Sequence, residues 1–394
     1  MTDILYLAWR YLAYYRIKTA ILAASITLIV YLPIGLNILV NESSRHLTTR
    51  AEATPLLVGA KGSPLELVLS SLYFESDVSP SMRYAEVKRI DQSGLARAVP
   101  LYVRFKTRHG TIVGTSLEYF EYRGLEIDRG RQFGILGECV LGAHVARVAN
   151  AEPGSFVMST PDSVFDIAGV YPLKMKVVGI LNPTGTPDDH AVFVDIKTAW
   201  VIEGLAHGHQ DLRQPSAADV VLEKDGNRII ANASVVQYNE ITPENIDSFH
   251  FHGDPDEFPV TTAIAIPNDE KASTLIQGRY LDAGELVQIV RPALVMNDLL
   301  ETILTVRRYI LIAVALVGIA TLASMVLVFM LSLQLRRREL ETMIKIGGSK
   351  ARIVSLIAVE ILGVLVAGAV LAGLLSLLTF WLAGSATRLL VQLI

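Results

Sequence analysis

Tyr309-Ile-Leu-Ile-Ala-Val-Ala-Leu-Val-Gly-Ile-Ala-Thr-Leu-Ala-Ser-Met-Val-Leu-Val-Phe-Met-Leu-Ser-Leu-Gln-Leu335 is a run of 27 residues without a charged side chain. About 20 apolar residues in a helix cross a hydrocarbon core of ~30 Å, so this stretch reads as a membrane span. Two other stretches obey the same rule: Thr19–Asn41, 23 residues, and Ile361–Thr387, 27 residues. The whole chain of 394 residues is 51% hydrophobic and 19% charged, with a mean hydropathy of +0.41. A soluble domain carries ~25% charged residues. An apolar excess gathered into three places excludes a purely soluble protein.

Charge predicts the orientation. Residues 1–18 carry a net +2, the loop 336–352 a net +4, and the segment 42–306 is left with −12. Excess Lys and Arg beside membrane spans marks the cytoplasmic side, which puts the N-terminus and the 336–352 loop inside and the acidic segment outside. Arg307 and Arg308 lie at the outer end of the second span and run against this trend, but they are outnumbered. The first apolar run is longer than the ~7–15 residues of a signal-peptide core. Leu39-Val-Asn-Glu42 also lacks a small-x-small cleavage pattern, so the first span is read as a retained anchor.

The fold class that follows is an α+β membrane protein. It has three transmembrane helices, with four as the alternative, and a large extracytoplasmic α+β domain between the first and second. Residues 1–18 form a cytoplasmic or interfacial amphipathic helix, since Ile4, Leu5, Leu7, Ala8, Tyr11, Leu12 and Tyr15 recur at helical spacing among basic residues. The first span is 19–41. The domain of 42–306 is predicted to hold a helix at 84–93 and strands at 98–105 and 111–115. Further along come a helix at 142–149 and strands at 175–180, 191–194, 220–222 and 261–266. Residues 282–306 read as a helical stalk running into the second span, 307–335. A cytoplasmic coupling loop, 336–352, precedes the third span, 353–383. The 42 residues of 353–394 leave almost no turn for two spans. One span, a break at Gly384-Ser385 and an amphipathic tail over 384–394 is therefore the simpler solution. Gly363, Gly368 and Gly373 make that span able to approach another helix closely, within the subunit or in a dimer. A single cysteine, Cys139, excludes an intrachain disulfide.

The loop after the second span reads Arg336-Arg-Arg-Glu-Leu-Glu-Thr-Met-Ile-Lys-Ile-Gly-Gly-Ser-Lys-Ala-Arg352. It resembles the coupling segment of MacB/FtsX-type ABC transporter permeases. Arg10–Thr19 before an apolar span is similar to the family's N-terminal element, and Val359-Glu360 to a glutamate of its third span. Gly137-Glu-Cys-Val-Leu-Gly-Ala-His-Val-Ala146, Pro153-Gly and Lys176-Val-Val-Gly-Ile-Leu-Asn-Pro-Thr-Gly-Thr-Pro-Asp-Asp189 resemble the family's external domain. The family usually has a fourth span, and this chain departs from it there.

The resemblance implies a permease subunit with Porter- and Sabre-like external subdomains and no catalytic residue of its own, working with a separate ABC ATPase. It implies coupling residues at Arg338, Glu339, Glu341, Met343, Ile344, Lys345, Gly347, Gly348 and Ser349. A permease homodimer, a periplasmic adaptor or outer-membrane partner, and a bacterial inner membrane belong to the same expectation. The function implied is export or extraction of a lipophilic or peptidic substrate: a lipoprotein, lipid, peptide or drug. The alternative is an FtsX-like transmembrane regulator that activates an extracytoplasmic cell-wall hydrolase or sensor.

The remaining chemistry is consistent with this. No Gly-x-x-x-x-Gly-Lys-[Ser/Thr] phosphate loop occurs, so no cofactor is expected on this chain, and ATP with Mg²⁺ belongs to the partner. A helix of about two turns over 339–346 presents Met343, Ile344 and Ile346 as knobs for a groove on the ATPase; a plain basic loop is the competing reading. Glu360 lies ~12 Å beyond Arg352 along a helix, either paired with Arg352 or another coupling-loop base, or engaged in the motion itself. His207-Gly-His209, His250-Phe-His252 and His190 beside Asp188 and Asp189 are of a type that ligates zinc. None matches a defined motif, and polar loops are the simpler reading; His250 and His252 are the metal candidates, a membrane-anchored zinc enzyme the third hypothesis. A surface of −12 argues against nucleic acid.

Overall fold

Long apolar helices lie toward the two ends of the chain, and strands interleaved with short helices fill the middle. The computed structural model describes residues 2–75, 80–160, 172–208, 221–225, 228–231, 238–281, 286–345 and 349–391. The chain divides into two units, one of Met1–Thr49 with Asn297–Ile394 and one of Arg50–Met296.

In chain order the helices are α1 (Thr2–Tyr14), α2 (Arg16–Glu52), α3 (Pro64–Val68), α4 (Tyr84–Gln92), α5 (Glu118–Arg123) and α6 (Ala143–Ala149). They continue with α7 (Ile196–Ile202), α8 (Glu270–Arg279), α9 (Pro292–Leu335), α10 (Arg337–Lys345) and α11 (Lys350–Val391). Among the described residues, three are long and apolar enough to cross a membrane: α2 over Arg16–Glu42, α9, and α11 over Lys350–Leu382.

Leu22, Ala23 and Ile26 of α2, Met325 of α9 and Val364 of α11 form a buried apolar cluster, with Leu12 and Phe329 packed against it. Gly368 is what lets α11 approach α2. A Cβ there would lie 2.6 Å from Ile26 Cγ2 and 3.0 Å from the Ala23 carbonyl oxygen. In the space left, the Thr27 hydroxyl donates to the Gly368 carbonyl at 3.1 Å. Close contact of this kind is what holds helices together in lipid, where apolar burial gives no driving force. Of the two readings of the glycine face, Gly368 serves a contact inside the subunit.

Two expectations are corrected here. α11 runs without a break through Gly384 and Ser385 to Val391. A glycine in a helix costs only about 1 kcal/mol relative to alanine, whereas opening the helical ladder in an apolar setting strands backbone groups at several kcal/mol each. The helical stalk over 282–306 also begins later, with 282–285 outside the described residues. Val287–Val290 is a strand, and α9 starts at Pro292. Proline drives the residue before it towards extended backbone and is well placed in the first helical turn, so Pro292 separates strand from helix.

The second unit is built on a sheet. Its strands are β1 (Leu56–Ala60), β2 (Met82–Arg83), β3 (Ala96–Lys106), β4 (Thr111–Thr115), β5 (Ile127–Gly130), β6 (Glu138–Leu141), β7 (Phe156–Met158) and β8 (Lys174–Leu181). There follow β9 (Ala191–Asp195), β10 (Ala206–Gly208), β11 (Val221–Asp225), β12 (Arg228–Ala231), β13 (Phe249–Phe251), β14 (Pro259–Val260), β15 (Thr262–Pro267) and β16 (Val287–Val290). Ten of them make one sheet in the order β16-β1-β15-β3-β4-β9-β6-β8-β5, with β7 also on β8. The pairs β4–β9 and β6–β8 are parallel and the others in this sheet antiparallel.

The central strands are buried on both faces. Ile112, Val113, Cys139, Val140, Leu141, Val192, Phe193 and Val194 are all inaccessible, which is why their sequences run apolar instead of alternating. α7 packs on β3 and β4, and α4 on β3. The helices expected at 84–93 and 142–149 correspond to α4 and α6, and the strands expected at 98–105, 111–115, 175–180, 191–194 and 261–266 to β3, β4, β8, β9 and β15. Of the strand expected at 220–222, residue 220 lies outside the described residues and the rest opens β11.

Candidate functional site

Within the segment 336–352, Arg337–Lys345 folds as α10 between two helices apolar enough to cross a membrane. Leu340, Met343 and Ile344 recur at the i, i+3, i+4 spacing that puts them on one side of a helix. Charged residues and Thr342 fill the other positions, and none of α10 is buried. Met343 is half-buried and Ile344 is 43% exposed. Arg337 Nε donates to Glu341 Oε1 at 3.1 Å across one turn. Glu339 lies 3.6 Å from Arg336 Nε, and the Arg338 carbonyl accepts from the Thr342 hydroxyl at 2.8 Å. Lys345 is exposed at the helix end. Ser349 precedes α11 and its Oγ accepts from the Arg352 amide at 3.4 Å, the position of a capping side chain. Gly347 and Gly348 lie outside the described residues.

Behind α10, Arg336 is tied to α11. Its Nη1 donates to both Glu360 carboxylate oxygens, at 3.0 and 3.2 Å, and both side chains are at least nine-tenths covered. The guanidinium also stacks 3.7 Å from the centre of the Tyr11 ring. Lys18 Nζ donates to the Ser332 hydroxyl at 2.6 Å, which the Tyr11 hydroxyl meets at 3.3 Å. Glu360 is therefore paired with a coupling-loop base, as one reading expected, but Arg336 takes the place suggested for Arg352. Arg336 follows α9 directly, and its guanidinium meets both Tyr11 of α1 and Glu360 of α11.

A second buried ion pair lies within the sheet-built unit, and sequence reasoning missed it. Arg50, in the last turn of α2, donates to Asp188 at 2.5 and 2.9 Å and to the Tyr119 hydroxyl at 2.7 Å. The Tyr119 hydroxyl donates to Asp188 Oδ1 at 2.8 Å, and the Thr186 hydroxyl to Oδ2 at 2.9 Å. Burial alone would push the Asp188 carboxyl up; the charge and hydrogen bonds of Arg50, with those of Tyr119 and Thr186, hold it below the usual carboxylate range. Burial pulls against the charged form of Arg50 too, but Tyr119 and Asp188 outweigh it and its proton is held more firmly than usual. Burial raises the Tyr119 phenol, so it stays the donor in this chain of bonds. Gly142 faces the same turn: a Cβ on it would lie 2.2 Å from the Asp188 carbonyl oxygen. The motif at 137–146 and the motif at 176–189 thus meet here.

This settles several of the polar residues singled out in the sequence. Asp188 belongs to Arg50. Asp189 accepts from the Thr184 and Gly185 amides at 2.9 and 2.8 Å. His190 stacks on His144 with ring centres 4.2 Å apart. Burial lowers both imidazoles below their ordinary value, so they are held neutral. Glu138 is buried against Arg131, whose guanidinium forks onto both oxygens, and accepts from the Gly134 amide at 2.9 Å. His250 and His252 are exposed on and beside β13, next to His207 of β10. His209 lies outside the described residues.

A sheet-built domain between the first and second of three helices long and apolar enough to cross a membrane, the last two joined by a short amphipathic helix, defines the class. The MacB-like periplasmic core domain matches residues 19–235, and the chain belongs to the MacB/FtsX-type ABC transporter permeases. These are transporter permeases, not enzymes by themselves, and the family implies an ABC ATPase partner and a lipid membrane. Among solved structures, the periplasmic region of MacB from Actinobacillus actinomycetemcomitans is similar at 11% identity and a TM-score of 0.34, covering 66% of this chain and 97% of that one. The extracellular domain of the noncanonic ABC-type transporter YknZ from Gram-positive bacteria is similar at 11% identity and a TM-score of 0.32, covering 60% of this chain and 98% of that one. No curated protein matches the chain.

Proposed function

We propose that this chain is the permease subunit that receives ATP-driven motion from a separate ATPase and delivers it to the external domain, where a lipophilic or peptidic substrate is extracted or expelled. The N-terminus and α10 face the cytoplasm in this reading, as the distribution of Lys and Arg supports. ATP and Mg²⁺ are held by the ATPase, and two copies of the permease work with two of the ATPase.

The observation that carries the reading is the apolar strip of α10. Leu340, Met343 and Ile344 are left partly uncovered in the single chain, between charges that fit a complementary groove. Ion pairing of Arg336 with Glu360 supports a mechanical role, because a push on α10 reaches α11 through a stiff contact instead of a loop.

Co-purification with a candidate ABC ATPase tests this. Wild type is expected to bind the ATPase and stimulate its hydrolysis, and a Met343→Asp/Ile344→Asp variant to lose both while keeping its melting temperature. Equal binding and stimulation by the two proteins would remove α10 from the coupling surface.

A further inference from the structure

The ribbon of β10 and β13 has two unlike faces. Ala206 is buried, and Phe249 and Phe251 pack against the same core, with the Phe251 ring 6.5 Å from that of Trp200 and 6.0 Å from that of Phe258. His207 pairs directly with His250 in the register of the ribbon, and His252 continues the strand to donate its amide to the Leu205 carbonyl at 2.9 Å. Side chains alternate along a strand, and residues two apart share a face. Burying the phenylalanines therefore sends all three imidazoles to the opposite face together.

The rings gather there. Ring centres are 5.0 Å apart for His207 and His250, 4.7 Å for His207 and His252, and 4.8 Å for His250 and His252. One nitrogen from each lies within 4.8 Å of the other two. Tetrahedral zinc with bonds of 2.0–2.1 Å needs its nitrogen ligands ~3.3 Å apart. Closing that difference takes rotation about the ring torsion, which is broad for histidine; His250 and His252 are exposed and His207 half-buried.

A further contact prepares one ligand. His250 Nδ1 lies 3.0 Å from the Ser248 carbonyl oxygen. A carbonyl only accepts, so the proton is on Nδ1 and the lone pair on Nε2. Histidines that ligate metals characteristically donate their other ring N–H in this way.

We propose that His207, His250 and His252 bind a divalent zinc ion through three imidazole nitrogens, with a fourth position open to water. The ion clips β10 to β13, a ribbon of only three residues a side. Neither the ATPase-coupling reading nor the family match calls for such a site.

The experiment uses the full chain in detergent, with any polyhistidine tag removed and metals stripped by EDTA. It is titrated calorimetrically with zinc sulfate alone. Wild type is expected to take up about one zinc per chain with a Kd in the micromolar range or tighter, and to melt at a higher temperature with zinc than without. His207→Ala, His250→Ala and His252→Ala are each expected to weaken binding by at least roughly 10–100-fold, the range for losing only an outer-shell partner of a ligand, while melting like wild type in EDTA. His144→Ala/His190→Ala serves as the control at a different imidazole pair and is expected to bind normally. Cobalt in place of zinc should give the visible bands of a tetrahedral ion in wild type and lose them in the three single variants. Absence of zinc uptake by wild type at micromolar concentrations, undiminished uptake by the three single variants, or loss confined to the His144/His190 control would each overturn the site.

Discussion

Arg336 and Glu360, 24 residues apart, face each other at 3.0 Å with both side chains shielded from solvent. The contact joins the residue ahead of α10 to the body of α11. It ties the segment between α9 and α11 to the body of α11.

Breaking one side of such a pair leaves the other charge buried and alone, at a cost of about 3–5 kcal/mol, whereas replacing both with apolar groups is close to neutral. Arg336→Met and Glu360→Leu are each expected to lower the melting temperature of the detergent-solubilised protein, and the double variant to recover most of the loss. Additive losses in the double-mutant cycle would mean the two groups do not interact.

Arg50 and Asp188 carry a pH signature. The Asp188 carboxyl is held below its ordinary value, so its stabilisation is complete above the unfolded carboxyl's ~3.9 and is lost as pH falls through the folded value. Arg50→Met removes the cation and leaves burial to push the carboxyl up. The variant is expected to lose about 3–5 kcal/mol near neutral pH and to approach wild type in acid. Melting curves from pH 3 to 8 check this; a gap that stays constant across that range contradicts the linkage.

Two glycines of α11 should behave differently. Gly368→Ala forces a methyl to 2.6 Å from Ile26 Cγ2, while nothing lies within 4 Å of a Cβ on Gly373. Overpacking costs about 1–3 kcal/mol, and alanine gains about 0.5–1 kcal/mol over glycine in an open helix position. Gly368→Ala is expected to lower the melting temperature and Gly373→Ala to leave it unchanged or raise it.

Cys139 is buried in β6, and burial, with the neighbouring Glu138 charge, pushes its thiol well above the ordinary value. The thiolate is the reactive form. N-ethylmaleimide at neutral pH is expected to leave the native protein unlabelled and to react fully once it is denatured, as read by intact mass.

Much of the architecture was legible in the residues because the signals are local. Uncharged runs marked α2, α9 and α11, and β-branched runs marked β3, β4, β8 and β9. The limits of α9 and α11 were misjudged where two local signals competed. Val287–Val290 is apolar enough to extend a helix, but β1 offered it a strand partner, with Val58 opposite Ile289. Gly384-Ser385 looked like a stop, but a helix in an apolar setting keeps its hydrogen bonds.

The candidate sites were legible only as residue types. Glu360 was recognisable as a carboxylate needing a cation, yet several bases of the 336–352 loop met that description equally well. Arg50 carried no signal at all, being one of three Lys or Arg residues between Lys18 and Arg83 with its partner 138 residues away. His207 and His250 become neighbours through the register of two short strands.

By itself the sequence determined that this chain enters a membrane, where it does so and which side its acidic bulk faces. Transfer of side chains between water and hydrocarbon depends on each residue alone and sums along the chain. Only the tertiary structure decided which charge answers which, and which imidazoles share a face. Those pairings depend on distances between residues far apart in sequence, and packing alone sets those distances.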